Sequence, residues 1–233
     1  MAKFNYFTTF EWSLWFFSIA TILSSYLFFH QSNLLALSAS LIGASALIFL
    51  AKANPLGQGL FLVFSVLYAY ISLKNQYFGE VLVYFTMTLP MDILALSSWL
   101  SHPFMGRKSQ VLISHLSIKD IYLVSFLSFL VTVIFYFVLG IFHTSFLLIS
   151  TLSITTTFAA TFLSYKRSPY FALIFAINDI VLIILWLLEA NTISSHFSVA
   201  ICYAVFLMND IYTFFNWIRL HSHQENIIKK DRV

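Results

Sequence analysis

The fold class of this protein can be inferred from residues 169–189, which read PYFALIFAINDIVLIILWLLE. Apart from the Asn178-Asp179 pair, the stretch is apolar for about the 20 residues that an α-helix needs to cross a bilayer. The leading proline suits the first turn of a helix, where a backbone N–H has no helical partner. We therefore predict a membrane-spanning helix that carries an amide and a carboxyl group within its apolar length.

The composition extends this interpretation to the whole chain. The 233 residues are 60% hydrophobic and only 9% charged, whereas soluble domains contain roughly 25% charged residues. Eight apolar segments are long enough to span a membrane: residues 11–30, 34–51, 57–74, 79–100, 120–142, 145–165, 169–189 and 196–219. The predicted fold is an all-α, multi-pass membrane protein with about eight transmembrane helices.

The basic residues indicate how these segments are oriented. With eight spans, both termini lie on the same side as the connections 52–56, 101–119 and 166–168. Of the 12 Lys and Arg residues, all except Lys74 fall on this side. Because cytoplasmic connections are enriched in Lys and Arg, we expect both termini to be cytoplasmic, with the protein in the inner or plasma membrane of the cell. The net charge of +3 then reflects topology, and no nucleic-acid partner is predicted.

Three predicted helices contain one pattern, Asp-Ile followed after five residues by Trp. Each Asp and its Trp lie about two helical turns apart, on nearly one face. The pairs are Asp92 with Trp99, Asp179 with Trp186, and Asp210 with Trp217. The separation along the sequence from Asp92 to Asp210 equals that from Trp99 to Trp217, which indicates an internal repeat.

The repeat predicts a domain organisation. Residues 34–100 and 143–219 form two parallel three-helix repeats, joined by a polar loop and a linking helix in 101–142. Residues 1–33 add one N-terminal transmembrane helix, and 220–233 form a cytoplasmic tail. Repeats of this kind occur in transporters whose substrate site lies at the repeat interface near the membrane midplane. The alternative is a coincidental similarity within a biased composition.

Acidic residues inside the predicted helices are the first candidates for a substrate site. A carboxyl group at the centre of a bilayer costs about 2.5–3.5 kcal/mol and usually faces a cavity or a partner. The candidates are Asp92, Asp179 and Asp210, and Asn178 and Asn209 directly precede the last two. An amide offers both a donor and an acceptor to a solute. The alternative is that these side chains only form hydrogen bonds between helices.

Aromatic and hydroxyl residues complete the predicted site. Trp186, Tyr203 and Tyr212 lie near the acidic residues, where they would stack on a flat heterocycle. Thr155 belongs to a hydroxyl-rich run at 150–157 that would line a path for a polyhydroxylated solute. The alternatives are an aromatic belt at the membrane interface and close packing between helices.

Three sequence motifs that are typical of enzymes are absent. The chain contains no His-Glu-x-x-His, no Gly-x-Ser-x-Gly and no Walker-type phosphate loop. We therefore predict no catalytic residue, no metal ligand and no cofactor. A membrane-embedded enzyme or a structural subunit is the remaining alternative to a transporter.

Several segments together resemble the PnuC family of vitamin-precursor transporters. In the first half they include AKANPLGQG at 51–59, YFGE at 77–80 and LPM at 89–91. In the second half they include residues 150–157, 167–170, 178–186 and 209–217. Each motif is short, but their order and spacing along nearly the whole chain make the resemblance specific.

The resemblance implies a SWEET-like fold of two three-helix units, commonly assembled as a homotrimer. It also implies import of nicotinamide riboside by facilitated diffusion, with phosphorylation by a separate cytoplasmic kinase trapping the substrate. Relatives carry thiamine, riboflavin or deoxynucleosides, so the substrate stays open, with thiamine as the runner-up. Two positions depart from the family pattern, because Asp92 stands where many members have Gln and Thr213 where Gly is common. The first departure bears on substrate identity.

Overall fold

The computed structural model describes residues 6–30, 33–191 and 193–231. Within these ranges most of the chain is helical. The α-helices are α1 (Thr9–Phe28), α2 (Leu34–Ala51), α3 (Pro55–Lys74), α4 (Phe78–Val83), α5 (Leu89–Ser101), α6 (Ile118–Ile141), α7 (Leu147–Tyr165), α8 (Tyr170–Ala190) and α9 (Phe197–Lys230). A π-helical turn, Tyr84–Thr88, joins α4 to α5, and a 3-10 turn, Ser194–His196, leads into α9.

Seven helical elements in the described residues are long and apolar enough to cross a membrane. They are α2, α3, the continuous α4–α5 element, α6, α7, α8 and α9 with its leading turn. Helix α1 is 20 residues long but is not among the seven, and its first turn contains Glu11. The predicted all-α multi-pass class is confirmed, while the span at 11–30 stays a prediction.

Local sequence explains where the helices begin. The side chain of Asn33 accepts a hydrogen bond from the backbone N–H of Ala36, and Asn54 caps α3 in the same way. The residues that precede the Asn-Pro and Ser-Pro turns, Ala53 and Arg167, are both left-handed, with φ of 53° and 56°. The two turns therefore share one backbone conformation.

Two features depart from the expected spans. The connection between α5 and α6 contains an antiparallel hairpin, β1 (Pro103–Phe104) and β2 (Arg107–Val111), which turns at Gly106 with φ of 74°. Helix α9 continues to Lys230, about three turns beyond the predicted end at residue 219. The hairpin is short and mostly polar, so it lacks the alternating apolar pattern by which strands are predicted.

Helix packing depends on small residues where the backbones approach closely. Helix α2 contributes buried Ala39, Gly43, Ala44 and Ala46 to its contacts with α3 and α9. A Cβ atom added to Gly57 would lie 2.5 Å from the backbone N of Leu50. Small residues at helix contacts are typical of membrane proteins, in which lipid supplies no hydrophobic driving force between helices.

The contacts between the two halves of the chain occur in matched pairs. Trp99 on α5 donates its indole N–H to the Ser164 carbonyl on α7 over 2.9 Å, and Trp217 on α9 donates to the Leu50 carbonyl on α2 over 2.7 Å. Leu50 and Ser164 precede Pro55 and Pro169 by the same number of residues. Each half therefore holds a tryptophan of the other half through an equivalent bond.

Helices α1 and α6 also begin alike. Each starts with a capping box, in which an N-cap hydroxyl and an acidic side chain exchange hydrogen bonds with the backbone. The pairs are Thr8 with Glu11 and Ser117 with Asp120. The two carboxylates then bind equivalent lysines, as Glu11 to Lys52 over 2.9 Å and Asp120 to Lys166 over 2.8 Å.

Candidate functional site

A cavity of about 280 Å³ opens between the ends of α3, α6 and α8 and the starts of α4, α7 and α9. This volume is close to the lower end of the range of about 300–1,000 Å³ for small-molecule pockets. The walls combine aromatic rings with carboxyl, imidazole and amide groups, among them Tyr77, Glu80, His143, Trp186, Glu189 and His196. Because successive helices alternate in direction, this end is opposite the one that carries the β-hairpin.

Trp186 is the one predicted site residue that lines this cavity. Its ring meets His196 edge to face, with ring centroids 5.1 Å apart and an interplanar angle of 78°. The indole Nε1 is buried, and no residue in the described ranges accepts a hydrogen bond from it. An unsatisfied buried donor is costly, so an acceptor on a solute would satisfy it.

Glu80 lines the same cavity. The Ser72 hydroxyl donates to its Oε2 over 2.8 Å, and the residue stays accessible to solvent. Glu189 also lines the cavity and lies within electrostatic range of Glu80. The cavity therefore contains two carboxyl groups beside the indole ring of Trp186. The only sequence signal for Glu80 was its place in the YFGE segment.

Two tyrosine phenols interact electrostatically with the cavity carboxyl group or with the buried aspartates. The phenol of Tyr84 is within electrostatic range of Glu80 and of Asp92. The phenol of Tyr203 is within range of Tyr84 and of Asp179. Tyr84 lies in the π-helical turn, and such turns are frequent at functional sites.

The three predicted aspartates are buried. Together with Ser65 they form two equivalent pairs, Ser65 with Asp92 and Asp179 with Asp210. The Ser65 hydroxyl donates to Asp92 Oδ2 over 2.6 Å, and the carboxyl groups of Asp179 on α8 and Asp210 on α9 interact electrostatically with each other. Ser65 and Asp179 follow the prolines that open α3 and α8 by the same number of residues, so the second pair has a carboxyl group where the first has a hydroxyl. Each aspartate also has one buried oxygen for which the described residues provide no hydrogen-bond partner.

The two predicted asparagines join helices in this structure. Asn178 accepts a hydrogen bond from the Thr156 hydroxyl over 2.7 Å, which connects α8 to α7. Asn209 donates to the Ser18 hydroxyl over 2.9 Å, which connects α9 to α1. Neither lines the cavity described above. These contacts match the helix-joining alternative, and the substrate-binding role of both amides stays a prediction.

The remaining predicted residues lie apart from the cavity walls. The Tyr212 hydroxyl donates to Glu11 Oε1 over 2.8 Å, beside the ion pair with Lys52. Thr155 exchanges a hydrogen bond with Thr132 over 2.7 Å, between α7 and α6. Tyr203 packs edge to face on an aromatic ring of its own helix. From the hydroxyl-rich run it is Ser150 that lines the cavity.

An aromatic cluster fills the bundle at the opposite end. Trp99, Trp217 and Phe171 are fully buried. The ring centroids of the two tryptophans are 5.2 Å apart, and Phe171 lies 4.8 Å from Trp217. The described bundle therefore has a cavity at one end and a packed aromatic cluster at the other.

A bundle of membrane-spanning helices with a polar cavity that is entered from one end is typical of multi-pass membrane transporters. Residues 33–219 match the model of a family described as nicotinamide mononucleotide transporter. This match covers most of the chain, and the protein belongs to that family, the PnuC transporters. The resemblance seen in the sequence is confirmed, as is the prediction that the chain is a transporter and not an enzyme.

A solved structure has the same fold. The crystal structure of the vitamin B3 transporter PnuC aligns with a TM-score of 0.80 at 20% sequence identity, over 95% of each chain. Comparison with the curated proteins finds no match.

Proposed function

We propose that the protein imports a nucleoside-like vitamin precursor, with nicotinamide riboside as the leading candidate. The observation that carries this proposal is the indole ring of Trp186 in one cavity with Glu80 and Glu189. The pyridinium ring of nicotinamide riboside is flat and cationic, so an aromatic face and nearby carboxylates both attract it. Thiamine also has a cationic ring and is the alternative substrate, whereas riboflavin and deoxynucleosides lack that charge.

Transport would be passive. The bundle would open alternately at its two ends, with the substrate held between them, and the sequence contains no Walker-type phosphate loop through which ATP could drive accumulation. A separate cytoplasmic kinase would phosphorylate the substrate and trap it as a more highly charged product. The family resemblance supports this arrangement.

We further propose that both termini are cytoplasmic in the cell membrane, as the distribution of basic residues favours. The cavity would then face the outside and the aromatic cluster the cytoplasm. The homotrimer is proposed from the family resemblance. Helix α6 is the least buried of the seven apolar elements, because only 17% of its apolar stretch is buried within the protein. It therefore has surface for contact with lipid or a neighbouring subunit.

Calorimetric titration of the purified protein with nicotinamide riboside, thiamine, riboflavin and a deoxynucleoside tests the substrate. We expect the cationic ligands to bind most tightly and Trp186→Ala to weaken their binding at least tenfold, or about 1.4 kcal/mol. Trp12→Ala is the matched control, because Trp12 is exposed on α1. Equal binding by Trp186→Ala and the unchanged protein would contradict the proposed site. Accumulation above equilibrium in liposomes that lack a kinase would contradict the passive mechanism.

A further inference from the structure

Two histidines and a glutamate converge at the end of the molecule opposite the cavity. His115 belongs to the segment between β2 and α6, while His221 and Glu225 lie one turn apart on α9. Their ligand atoms all lie within 4.8 Å of one another. The cluster lies beyond the predicted end of the last membrane span at residue 219, and the transport cavity does not include it.

Both imidazole rings direct Nε2 towards the same carboxylate oxygen. His115 Nε2 contacts Glu225 Oε1 directly, and His221 Nε2 lies 3.7 Å from that oxygen. The two ring centroids are 4.2 Å apart. Tetrahedral zinc binds nitrogen and oxygen at about 2.0–2.2 Å, which places ligand atoms roughly 3.3 Å from each other. Small side-chain rotations would therefore bring these three atoms around one ion.

Hydrogen bonds to α9 and to the turn between α7 and α8 hold the backbone next to His115 in place. The buried amide of Gln224 accepts from the Ile113 N–H over 2.9 Å and donates to the Val111 carbonyl over 2.9 Å. The Ser114 N–H donates to the Arg167 carbonyl over 3.0 Å. These bonds fix the segment against α9 before any ligand arrives, which reduces the conformational entropy lost on binding.

We propose that His115, His221 and Glu225 bind a divalent transition-metal cation of the zinc type. Two imidazoles with one carboxylate suit Zn²⁺, Co²⁺ or Ni²⁺, whereas Mg²⁺ prefers oxygen ligands alone. The His115 side chain is 73% exposed, so the ion enters directly from the aqueous phase. Three protein ligands leave a fourth position for water. The bound ion links the connection between the two halves to α9, the helix that carries Trp217.

Titration of the full-length protein, purified without a polyhistidine tag, with Zn²⁺ and a competing chelator tests the site. We expect one ion per chain, no comparable binding of Mg²⁺, and at least tenfold weaker Zn²⁺ binding in His115→Ala and in Glu225→Gln. The matched control is His223→Ala, since His223 is exposed on the same helix and is not in the cluster. Binding of Co²⁺ should give the visible absorption of a tetrahedral ion, which His115→Ala abolishes.

Two results would overturn the proposal. One is that His115→Ala binds zinc with the same stoichiometry and the same affinity as the unchanged protein. The other is loss of binding in His223→Ala alone. His115 is a surface residue, so its substitution is expected to leave folding intact, and thermal unfolding without metal checks this. The outcome is independent of the transport assay, and therefore of the proposed substrate.

Discussion

At the residue scale, the cavity separates two kinds of attraction for a substrate. Trp186 offers a flat ring and an indole N–H that has no hydrogen-bond partner among the described residues, while Glu80 and Glu189 offer carboxyl groups. Stacking on an indole accepts any flat heterocycle, but a carboxylate favours a cationic one. We therefore expect the charge of the solute to distinguish the candidate substrates, and a substitution that removes only a carboxylate tests this.

Glu80→Gln is that substitution. The glutamine keeps an oxygen for the Ser72 hydroxyl, which donates to Glu80 over 2.8 Å, so the local geometry should persist. We expect binding of nicotinamide riboside and thiamine to weaken about tenfold, or 1.4 kcal/mol, while riboflavin and deoxynucleosides bind as before. Calorimetry on the four ligands measures this. A uniform loss across all of them would indicate a damaged cavity and not a charge effect.

Asn209 tests whether a buried amide binds substrate or joins helices. Its bond to Ser18 connects α9 to α1, and hydrogen bonds between membrane helices contribute on average about 0.6 kcal/mol, up to about 1.7. We expect Asn209→Ala and Ser18→Ala to lower thermal stability in detergent, with the double variant losing less than the sum. If Asn209→Ala also weakens substrate binding while Ser18→Ala does not, the amide has the substrate role predicted from the sequence.

At the element scale, the turn between α2 and α3 shows how closely these helices approach. The position of Gly57 has no room for a side chain, since an added Cβ would lie 2.5 Å from the Leu50 backbone. Gly59, two residues along the same helix, has no atom within 4 Å of an added Cβ. The same substitution therefore has opposite consequences at neighbouring positions.

Gly57→Ala should destabilise the protein by about 1–3 kcal/mol, because overpacking forces backbone shifts. Gly59→Ala should be neutral or stabilising by up to about 1 kcal/mol, since alanine favours the helix. Thermal unfolding in detergent and the yield of monodisperse protein compare the two. Similar behaviour of both variants would mean that the α2–α3 contact is looser than the structure describes.

At the scale of the whole molecule, the matched contacts relate one half of the chain to the other. The tryptophan bonds cross between the halves, the two capped helices α1 and α6 bind equivalent lysines, and the aspartate pairs correspond. We interpret these pairs as favouring two four-helix units, in which α1 corresponds to α6. The sequence repeat predicted three helices per unit, with α1 and α6 outside it.

The indole bonds join the two halves of the chain at the end opposite the cavity, so we expect that weakening them favours opening there. In a Cys202→Ala background, the buried Ala172→Cys reports exposure of this end through its rate of maleimide labelling. We expect Trp99→Phe or Trp217→Phe to raise the rate several-fold, because each loses a hydrogen bond of about 0.5–1.5 kcal/mol. Trp12→Phe is the control. If the labelling rate is unchanged in the double variant Trp99→Phe, Trp217→Phe, these bonds do not keep this end closed.

The sequence by itself determined the class of this protein. Long apolar segments have no other stable environment than a bilayer, and a helix is the element that satisfies its own backbone there. The predicted starts and ends of most spans therefore lie close to those of α1–α8. The family was also recognisable, because its motifs depend on residue identity and order and not on distances.

Only the tertiary structure decided which polar side chains share a cavity. Glu80 and Trp186 are far apart in the chain but line the same cavity at one end of the bundle. The side chains of Asn178 and Asn209 instead form hydrogen bonds with neighbouring helices. A helical pattern defines a face, but the rotation of each helix and the partner it meets depend on the packing of all the others. For the same reason no local signal predicted that His115 would lie beside His221 and Glu225.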